Sequence, residues 1–184
     1  MATRAKPKIL DGGALWEYAL RALGQRAHST GELKQKLSKR AASASDVSAV
    51  LEKLREYGLA DDSKFSEAFA ASRLENRGLG RFRVLQDLRA KRVSGQIAQN
   101  AVEKAFAGTD ETELIERFLA RKYRGKKLDD FLKEQKNIAS VYRRLRTAGF
   151  SSGNSLATLK RYGQQIEDWS GLENEDPATE SRET

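Results

Sequence analysis

Proline is confined to the two ends of this chain, and this feature most limits what the chain can fold into. The two prolines are Pro7 and Pro177, so residues 8–176 contain none. Proline inside a helix costs about 3 kcal/mol, and it is common in irregular loops. A proline-free stretch of this length, rich in Ala, Leu, Glu, Lys and Arg, predicts an all-α chain.

Apolar residues between the ends recur at helical spacing, which places them on one stripe per helix. The clearest sets are Val47, Val50, Leu51 and Leu54; Ala98, Ala101, Val102 and Ala105; and Ile138, Val141, Tyr142 and Leu145. The sequence Ser-Thr-Gly-Glu at residues 29–32 is typical of a capping box at a helix start. Asp110 and Ser151 are further candidates for helix N-caps.

The chain also resembles itself. Two sets of landmarks recur at offsets of 51 and then 57 residues: Leu37, Leu88 and Leu145, and Ser43, Ser94 and Ser151. This recurrence predicts three tandem copies of a three-helix unit, nine helices in all, with extra residues near 126–134 in the third copy. Units of about 50 residues bury little surface alone, so we expect an elongated array in which each leans on its neighbours. The alternative is a single nine-helix globule.

The predicted boundaries follow from these repeats and from composition. They are a disordered basic leader at 1–12, three-helix units at 13–60, 61–107 and 108–166, and an acidic disordered tail at 167–184. The net charge of the chain is +8, but residues 167–184 carry −6, which leaves +14 on residues 1–166. The tail is either a solubilising end or a competitor for the basic body.

Composition excludes several classes of function. The chain has no Cys and one His, which removes disulfides, thiolate catalysis, Cys-based zinc sites and His-pair metal sites. No run approaches the roughly 20 apolar residues that span a bilayer, and the start lacks a secretory hydrophobic region. Asp61 and Asp62 precede a predicted helix, where carboxylates more often cap than bind a metal. We therefore expect neither an enzyme nor a cofactor.

The basic residues carry the main functional signal, because concentrated Lys and Arg side chains suit contacts with phosphates or acidic surfaces. The candidates are Arg81, Arg83, Arg89, Lys91, Arg92, Arg121, Lys122, Arg124, Lys126, Lys127, Lys136, Arg143, Arg144 and Arg146. Each alone could equally belong to a solvated helix face. The excess of +14 favours an anionic partner, which could be DNA, an acidic protein surface, or a filament that offers both.

Aromatic residues divide into two groups. Phe65, Phe69, Phe118 and Tyr142 lie on apolar stripes and are expected in the core. Phe82 and Tyr123 lie among basic residues, where core packing is the first interpretation and base stacking the second.

Two ordered motifs resemble the RecX family of regulatory proteins. Residues 26–37 read R-A-H-S-T-G-E-L-K-Q-K-L, and Tyr57, Asp61, Asp62 and Phe65 match a second stretch of that family. The resemblance covers roughly residues 14–165 and is looser in the third unit.

This resemblance implies a cytoplasmic, monomeric, non-enzymatic modulator of the RecA recombinase. Such a protein would bind RecA and the RecA–single-stranded DNA filament, and limit filament growth, ATPase activity and strand exchange. Its role would lie in the regulation of DNA repair, homologous recombination and the SOS response. The competing interpretation is a helical protein that binds DNA weakly and without sequence preference, independently of RecA.

Overall fold

The computed structural model describes residues 9–163 and Trp169, and every regular element in that part of the chain is a helix. The helices are α1 Gly12–Gln25, α2 Thr30–Ser38, α3 Ala44–Glu56, α4 Asp62–Arg77, α5 Arg81–Ala90, α6 Gly95–Ala105, α7 Glu111–Lys122, α8 Leu128–Phe131, α9 Gln135–Thr147 and α10 Ser152–Tyr162. The all-α prediction is confirmed. The short helix α8, beyond the nine expected, lies within the extra residues of the third copy. The predicted tail, apart from Trp169, and residues 1–8 of the leader lie outside the described residues.

Local sequence signals place the helix starts where they were expected. The Ser29 hydroxyl accepts a hydrogen bond from the Glu32 N–H at 3.0 Å, and the Glu32 carboxylate accepts one from the Ser29 N–H, which completes the capping box. Asp110 and Ser151 cap α7 and α10 through their side chains. Asp61 accepts hydrogen bonds from two N–H groups in the first turn of α4, at 2.9 and 3.0 Å, and so serves as a cap.

The described residues form two compact units. Unit 1 comprises residues 9–71 and 86–105, and unit 2 comprises residues 72–85, 106–163 and Trp169. Helices α4 and α5 each contribute to both units. The division into three repeats stays a prediction.

The core of unit 1 is built from the stripes of its first three helices. Its largest fully buried side chains include Leu15, Leu33, Leu37 and Leu54. Leu10 extends this unit beyond α1, since its N–H donates to the Arg40 carbonyl at 2.7 Å and its carbonyl accepts from the Ala42 N–H at 3.1 Å. Residues 9–12, which the sequence analysis counted in the leader, therefore take part in unit 1.

Unit 2 packs α7, α9 and α10 around a second apolar core. The predicted stripe of α9, from Ile138 to Leu145, is buried throughout, and Tyr142 lies within it. Phe118 packs edge-on against Phe150, with 5.4 Å between ring centroids. These placements confirm the core prediction for Phe118 and Tyr142. Phe65 and Phe69 of α4 are only half-buried and stack on each other at 5.9 Å.

Within unit 1, the start of α2 packs on the turn between α5 and α6, and we call this contact the first junction. The Ser29 hydroxyl donates a hydrogen bond to the Lys91 carbonyl. A Cβ at Gly31 would lie 2.4 Å from the Cβ of Arg92 and 2.6 Å from its carbonyl oxygen, so glycine is required there. Arg92 has a φ of 62°, in the left-handed region that side chains rarely adopt.

Within unit 2, the start of α5 packs in the same manner on the turn between α9 and α10, which forms the second junction. The Gly80 N–H donates to the Ala148 carbonyl at 2.9 Å, and the Phe82 N–H donates to the Gly149 carbonyl at 3.1 Å. Gly149 has a φ of 90°, and a Cβ there would lie 2.1 Å from the backbone nitrogen of Arg83.

The two junctions occupy equivalent positions of the sequence repeat. Ser29 and Gly80 differ by 51 residues, and Arg92 and Gly149 differ by 57, which are the repeat offsets. In both, a left-handed residue brings a turn against the start of a helix. The division of α5 follows from this arrangement, because its first turn belongs to the second junction and its C-terminal end leads into the turn of the first.

Glu32 supplies the electrostatic part of the first junction. Its carboxylate lies 2.9 Å from the Lys91 ammonium and 3.1 Å from the Arg26 guanidinium. Burial raises the pKa of Glu32, but the hydrogen bonds from Arg26 and Lys91 outweigh it and lower the pKa from 4.5 to about 2. Nearby His28 is buried, and burial, reinforced by Arg26 and Lys36, lowers its pKa below 6.5.

Replacing this carboxylate should destabilise the protein. We expect Glu32→Gln to lower the free energy of unfolding near neutral pH by about 1–3 kcal/mol, because it leaves two cations without their counter-charge. A carboxylate with a lowered folded-state pKa stabilises above its unfolded value and loses that effect as pH falls. The difference between the two proteins should therefore shrink as pH falls from 4.5 towards about 2.

Urea unfolding followed by circular dichroism at several pH values measures this difference. Protonation of His28 adds a loss of stability below pH 6.5 in both proteins. Glu67→Gln is the matched control, since Glu67 pairs with Lys104 at an exposed site and should contribute under about 1 kcal/mol. Equal effects of the two substitutions would contradict the role given to Glu32.

The second junction predicts that Gly149 cannot be replaced. We expect Gly149→Ala to lower the free energy of unfolding by about 2–4 kcal/mol, because left-handed strain and a backbone clash with Arg83 add together. Gly108→Ala is the control, since Gly108 has a φ of 72° but nothing within 4 Å of its Cβ position. That change should cost about 1 kcal/mol, and similar losses for both variants would contradict the close approach.

Candidate binding surfaces

The basic candidates in unit 1 are Arg89, Lys91 and Arg92, and they differ in how far their side chains are exposed to a partner. Lys91 is 24% exposed at its side chain, and its ammonium is held by Glu32 within the first junction. Arg89 and Arg92 expose their side chains to solvent. Because Gly31 fixes the backbone at Arg92, that side chain emerges from a rigid turn. Of the predicted residues in unit 1, two are thus exposed arginines and one is a structural lysine.

Arg81 and Arg83 lie in the first turn of α5, within unit 2, and both are exposed. Cations near a helix N-terminus are disfavoured by the helix dipole. The Arg81 guanidinium lies 5.5 Å from the centroid of the Phe106 ring. Phe82, between them, is 53% exposed, so the first interpretation, core packing, is wrong for this ring. The backbone of Phe82 is committed to the second junction, which leaves its side chain at the surface.

The densest group of cations follows the end of α7 in unit 2. Tyr123 and Phe131 lie with 5.4 Å between their ring centroids, the Lys126 ammonium lies 4.2 Å from the Phe131 ring, and the Arg144 guanidinium lies 5.7 Å from the Tyr123 ring. We name these residues the basic–aromatic cluster, which consists of Lys122, Tyr123, Arg124, Lys126, Lys127, Phe131 and Arg144. It brings Arg144 of α9 beside four cations that are neighbours in sequence.

The five cations of the basic–aromatic cluster have no carboxylate within 4 Å among the described residues. Two of the nearby acids are engaged with other lysines. Asp130 pairs with Lys133 at 2.8 Å, and Glu134 pairs with Lys136 at 2.9 Å. The hydrogen bond that Lys136 donates to Glu134 raises the pKa of Lys136, and the one that Lys133 donates to Asp130 raises the pKa of Lys133. Neither Asp130 nor Glu134 therefore neutralises a cation of the cluster.

Other predicted residues have roles inside unit 2. Arg121 donates to the Arg77 carbonyl and lies 5.9 Å from the Phe118 ring, so it anchors the end of α4. The half-buried Arg146 donates to the Phe150 carbonyl at 2.5 Å, and Lys136 is held by Glu134. Arg143 is exposed on α9. The structure thus separates anchoring cations from the basic–aromatic cluster.

Sequence reasoning missed the ring of Phe131, because it lies in the extra residues that no repeat landmark covers. It also missed the pairing of Trp16 with Tyr57 in unit 1, where the centroids are 5.8 Å apart and the Lys53 ammonium lies 4.4 Å from the Trp16 ring. The spacing of Lys53 and Tyr57, one helical turn apart, was the signal available for this contact.

Two further classes of site are absent from the described residues. They hold no group of three His, Asp or Glu side chains arranged to bind a metal ion. None of their helices combines the length and the apolarity needed to cross a membrane.

Comparison with known proteins places these features in a family. A model described as the first three-helix domain of RecX matches residues 16–54, and one described as the second three-helix domain matches residues 61–102. The chain is 30% identical over 149 residues to the regulatory protein RecX of Chlorobium phaeobacteroides (strain BS1), covering 81% of this chain and 93% of that protein. It is 33% identical over 143 residues to the regulatory protein RecX of Mycobacterium sp. (strain JLS), covering 76% of each.

A solved structure shares the architecture. The crystal structure of RecX from Lactobacillus salivarius superposes with a TM-score of 0.61, covering 84% of this chain and 97% of that one. At 18% identity this likeness shows the fold alone. Because two three-helix domains match in order and a relative is covered over nine-tenths of its length, this chain belongs to the RecX family of regulatory proteins.

Proposed function

We propose that this protein is a cytoplasmic, non-enzymatic modulator that binds the RecA recombinase and the RecA–DNA filament. In this proposal it inhibits filament growth, ATPase activity and strand exchange, and so regulates DNA repair and recombination. The observation that carries the proposal is membership of the RecX family over most of the chain.

The distribution of charge supports an anionic partner surface. The basic–aromatic cluster presents five cations without acidic partners among the described residues, and Arg81, Arg83, Arg89 and Arg92 add exposed arginines. A RecA–DNA filament offers protein acids and DNA phosphates together, and both suit such side chains. Several weak contacts on one chain gain through effective concentration, so no single residue has to bind tightly.

The aromatic rings favour a second candidate function, which is direct DNA binding without RecA. Tyr123 and Phe131 lie half-buried beside cations, and Phe82 is exposed between two arginines. Protein rings that border a basic surface can stack on the bases of single strands. No spacing of residues indicates base-specific reading, so this binding would be independent of sequence.

One experiment separates the two functions. RecA-dependent ATP turnover on single-stranded DNA is measured with and without this protein, and its DNA binding without RecA is measured across a salt series. Inhibition at substoichiometric amounts is the expected result. If the protein neither changes ATP turnover nor associates with the filament, the RecA proposal fails. Tight, salt-dependent DNA binding, with RecA affected only through competition for DNA, would establish the second function.

The basic–aromatic cluster should contribute more to either function than other cations. We expect Lys122→Gln, Arg124→Gln and Lys127→Gln together to weaken inhibition of RecA roughly tenfold or more, because three unpaired contacts are lost. If the cluster binds DNA instead, the slope of log affinity against log salt should fall by about 2–3.

The matched control removes the same charge from paired lysines. Lys104→Gln, Lys133→Gln and Lys136→Gln each remove one partner of an exposed ion pair. These changes should alter affinity little, since exposed pairs contribute little. Equal losses in the two triple variants would show that net charge, and not the basic–aromatic cluster, determines binding.

A further inference from the structure

Arg92 has a backbone conformation that glycine adopts elsewhere in the described residues. Six of those residues have a φ in the left-handed region. Besides Arg92 they are Gly58, Gly78, Gly108, Gly125 and Gly149. A side chain in this region is strained, because its Cβ lies too close to the following carbonyl oxygen. The arginine at this position therefore calls for a physical reason.

Hydrogen bonds at the end of α5 show that the turn itself does not require an arginine. The Arg92 N–H donates to the Arg89 carbonyl at 2.8 Å, and the Val93 N–H donates to the Leu88 carbonyl at 3.3 Å. This pair of bonds forms a Schellman motif, in which the left-handed residue is usually glycine. The ends of α3 and α9 have the same pair of bonds, and there the left-handed residue is glycine. Glycine would therefore make the same turn with less strain.

The dipole of α5 and the first junction do not explain the arginine either. Arg89 lies in the last turn of α5 and Lys91 directly follows the helix, so two cations already complement its negative end. The atoms of Arg92 that lie against Gly31 are its Cβ and its carbonyl group, and the residue as a whole is exposed. The junction thus uses the backbone of Arg92 and not its charge.

The guanidinium groups of Arg92 and Arg89 have no partner within the described residues. Both arginines are exposed, and neither side chain has a carboxylate within 4 Å or forms a hydrogen bond there. Glu32, the carboxylate of the first junction, is held by Lys91 and Arg26. The end of α5 therefore offers two positive charges, one helical turn apart, on a fixed backbone.

We propose that the side chain of Arg92 binds the phosphate backbone of single-stranded DNA, with Arg89 contributing one turn earlier. This inference rests on the direct DNA binding given above as the second candidate function. The contact explains why a strained position carries a long cationic side chain, since strained residues persist where the strain serves a function.

The size of the expected effect favours a DNA phosphate over a carboxylate of a protein partner. An exposed arginine–carboxylate pair changes an equilibrium by a factor of only about 1.4–5. The left-handed backbone costs a side-chain residue a factor of about 5–30 in the folding equilibrium. A phosphate contact also releases a condensed counter-ion, so at low salt it contributes more than an isolated ion pair.

The proposal predicts that Arg92→Gly changes stability and DNA binding in opposite directions. Relief of the left-handed strain stabilises the folded state, and the extra freedom of glycine in the unfolded chain offsets only a factor of about 2–5 of that gain. We therefore expect an equal or higher urea midpoint. We also expect the affinity for single-stranded DNA at low salt to fall roughly threefold to tenfold.

Urea unfolding followed by circular dichroism measures the first effect. Fluorescence anisotropy of a labelled oligothymidine, without RecA, measures the second between about 50 and 200 mM salt. Loss of one phosphate contact should lower the slope of log affinity against log salt by about 0.7. A lower urea midpoint for Arg92→Gly would show that the arginine serves the fold, which overturns the inference.

Two variants separate the contact from net charge and from the backbone. Arg21→Gln removes the same charge from an exposed arginine of α1 that also has no carboxylate within 4 Å among the described residues, and it should change DNA affinity little. Arg92→Lys keeps the charge on the strained backbone, and it should retain the salt slope. Equal losses for Arg21→Gln and Arg92→Gly, or equal losses for Arg92→Lys and Arg92→Gly, would contradict a phosphate contact at this position.

The same variants distinguish failure of this inference from failure of the RecA proposal. If the unmodified protein does not bind the oligothymidine at low salt, the inference is wrong, and inhibition of RecA ATP turnover still decides the first function. If Arg92→Gly binds the oligothymidine normally but inhibits RecA less, the partner of Arg92 is a protein surface, which also overturns the inference.

Discussion

The close approach of a turn to the start of a helix is the contact on which each unit depends. In the first junction Gly31 leaves room for the backbone of Arg92, and in the second Gly149 leaves room for Arg83. A side chain at either glycine would meet neighbouring atoms at 2.1–2.6 Å, which packed interiors do not allow. The three-helix packing of the core could tolerate many apolar exchanges, whereas these contacts tolerate none. These contacts also fix the backbone at the exposed residues Arg83 and Arg92.

Local signals were sufficient to predict the helices but not the junctions. The capping box at Ser29 depends on four consecutive residues, and the stripe of α9 depends on one helix, so both are readable from sequence. The hydrogen bond from Ser29 to Lys91 joins residues 62 apart, and no local pattern encodes it. In α4 the expected core rings are half-buried, while Ser66 and Ala70 are fully buried, because small residues occupy the face where packing is closest.

The same limit of local sequence patterns applies to the charges of the candidate binding surfaces. Counting Lys and Arg in the sequence located segments of high positive charge, but it could not tell which cations contact an acid. Lys91 pairs with Glu32, which lies on α2 and is 59 residues away in sequence, and Lys136 pairs with Glu134, its neighbour in sequence. Lys126 and Arg144 instead lie over aromatic rings. A cation over a ring keeps its charge available to a partner, whereas a cation beside a carboxylate is already neutralised. The difference lies in tertiary contacts, which composition does not contain.

Charged residues have two separate roles in this chain. Some basic residues form part of the fold, and others are exposed and contribute little to it. Where burial is appreciable, as at Glu32, the hydrogen-bonded cations are part of the fold, and removing either sign leaves an uncompensated charge. Where cations are exposed and lack acidic partners among the described residues, as in the basic–aromatic cluster, the fold gains little from them. Mutual repulsion at such a surface is relieved by a mobile anion or by an external anionic partner. Binding of such a partner therefore draws on the exposed cations and leaves the partly buried ion pairs of the fold intact.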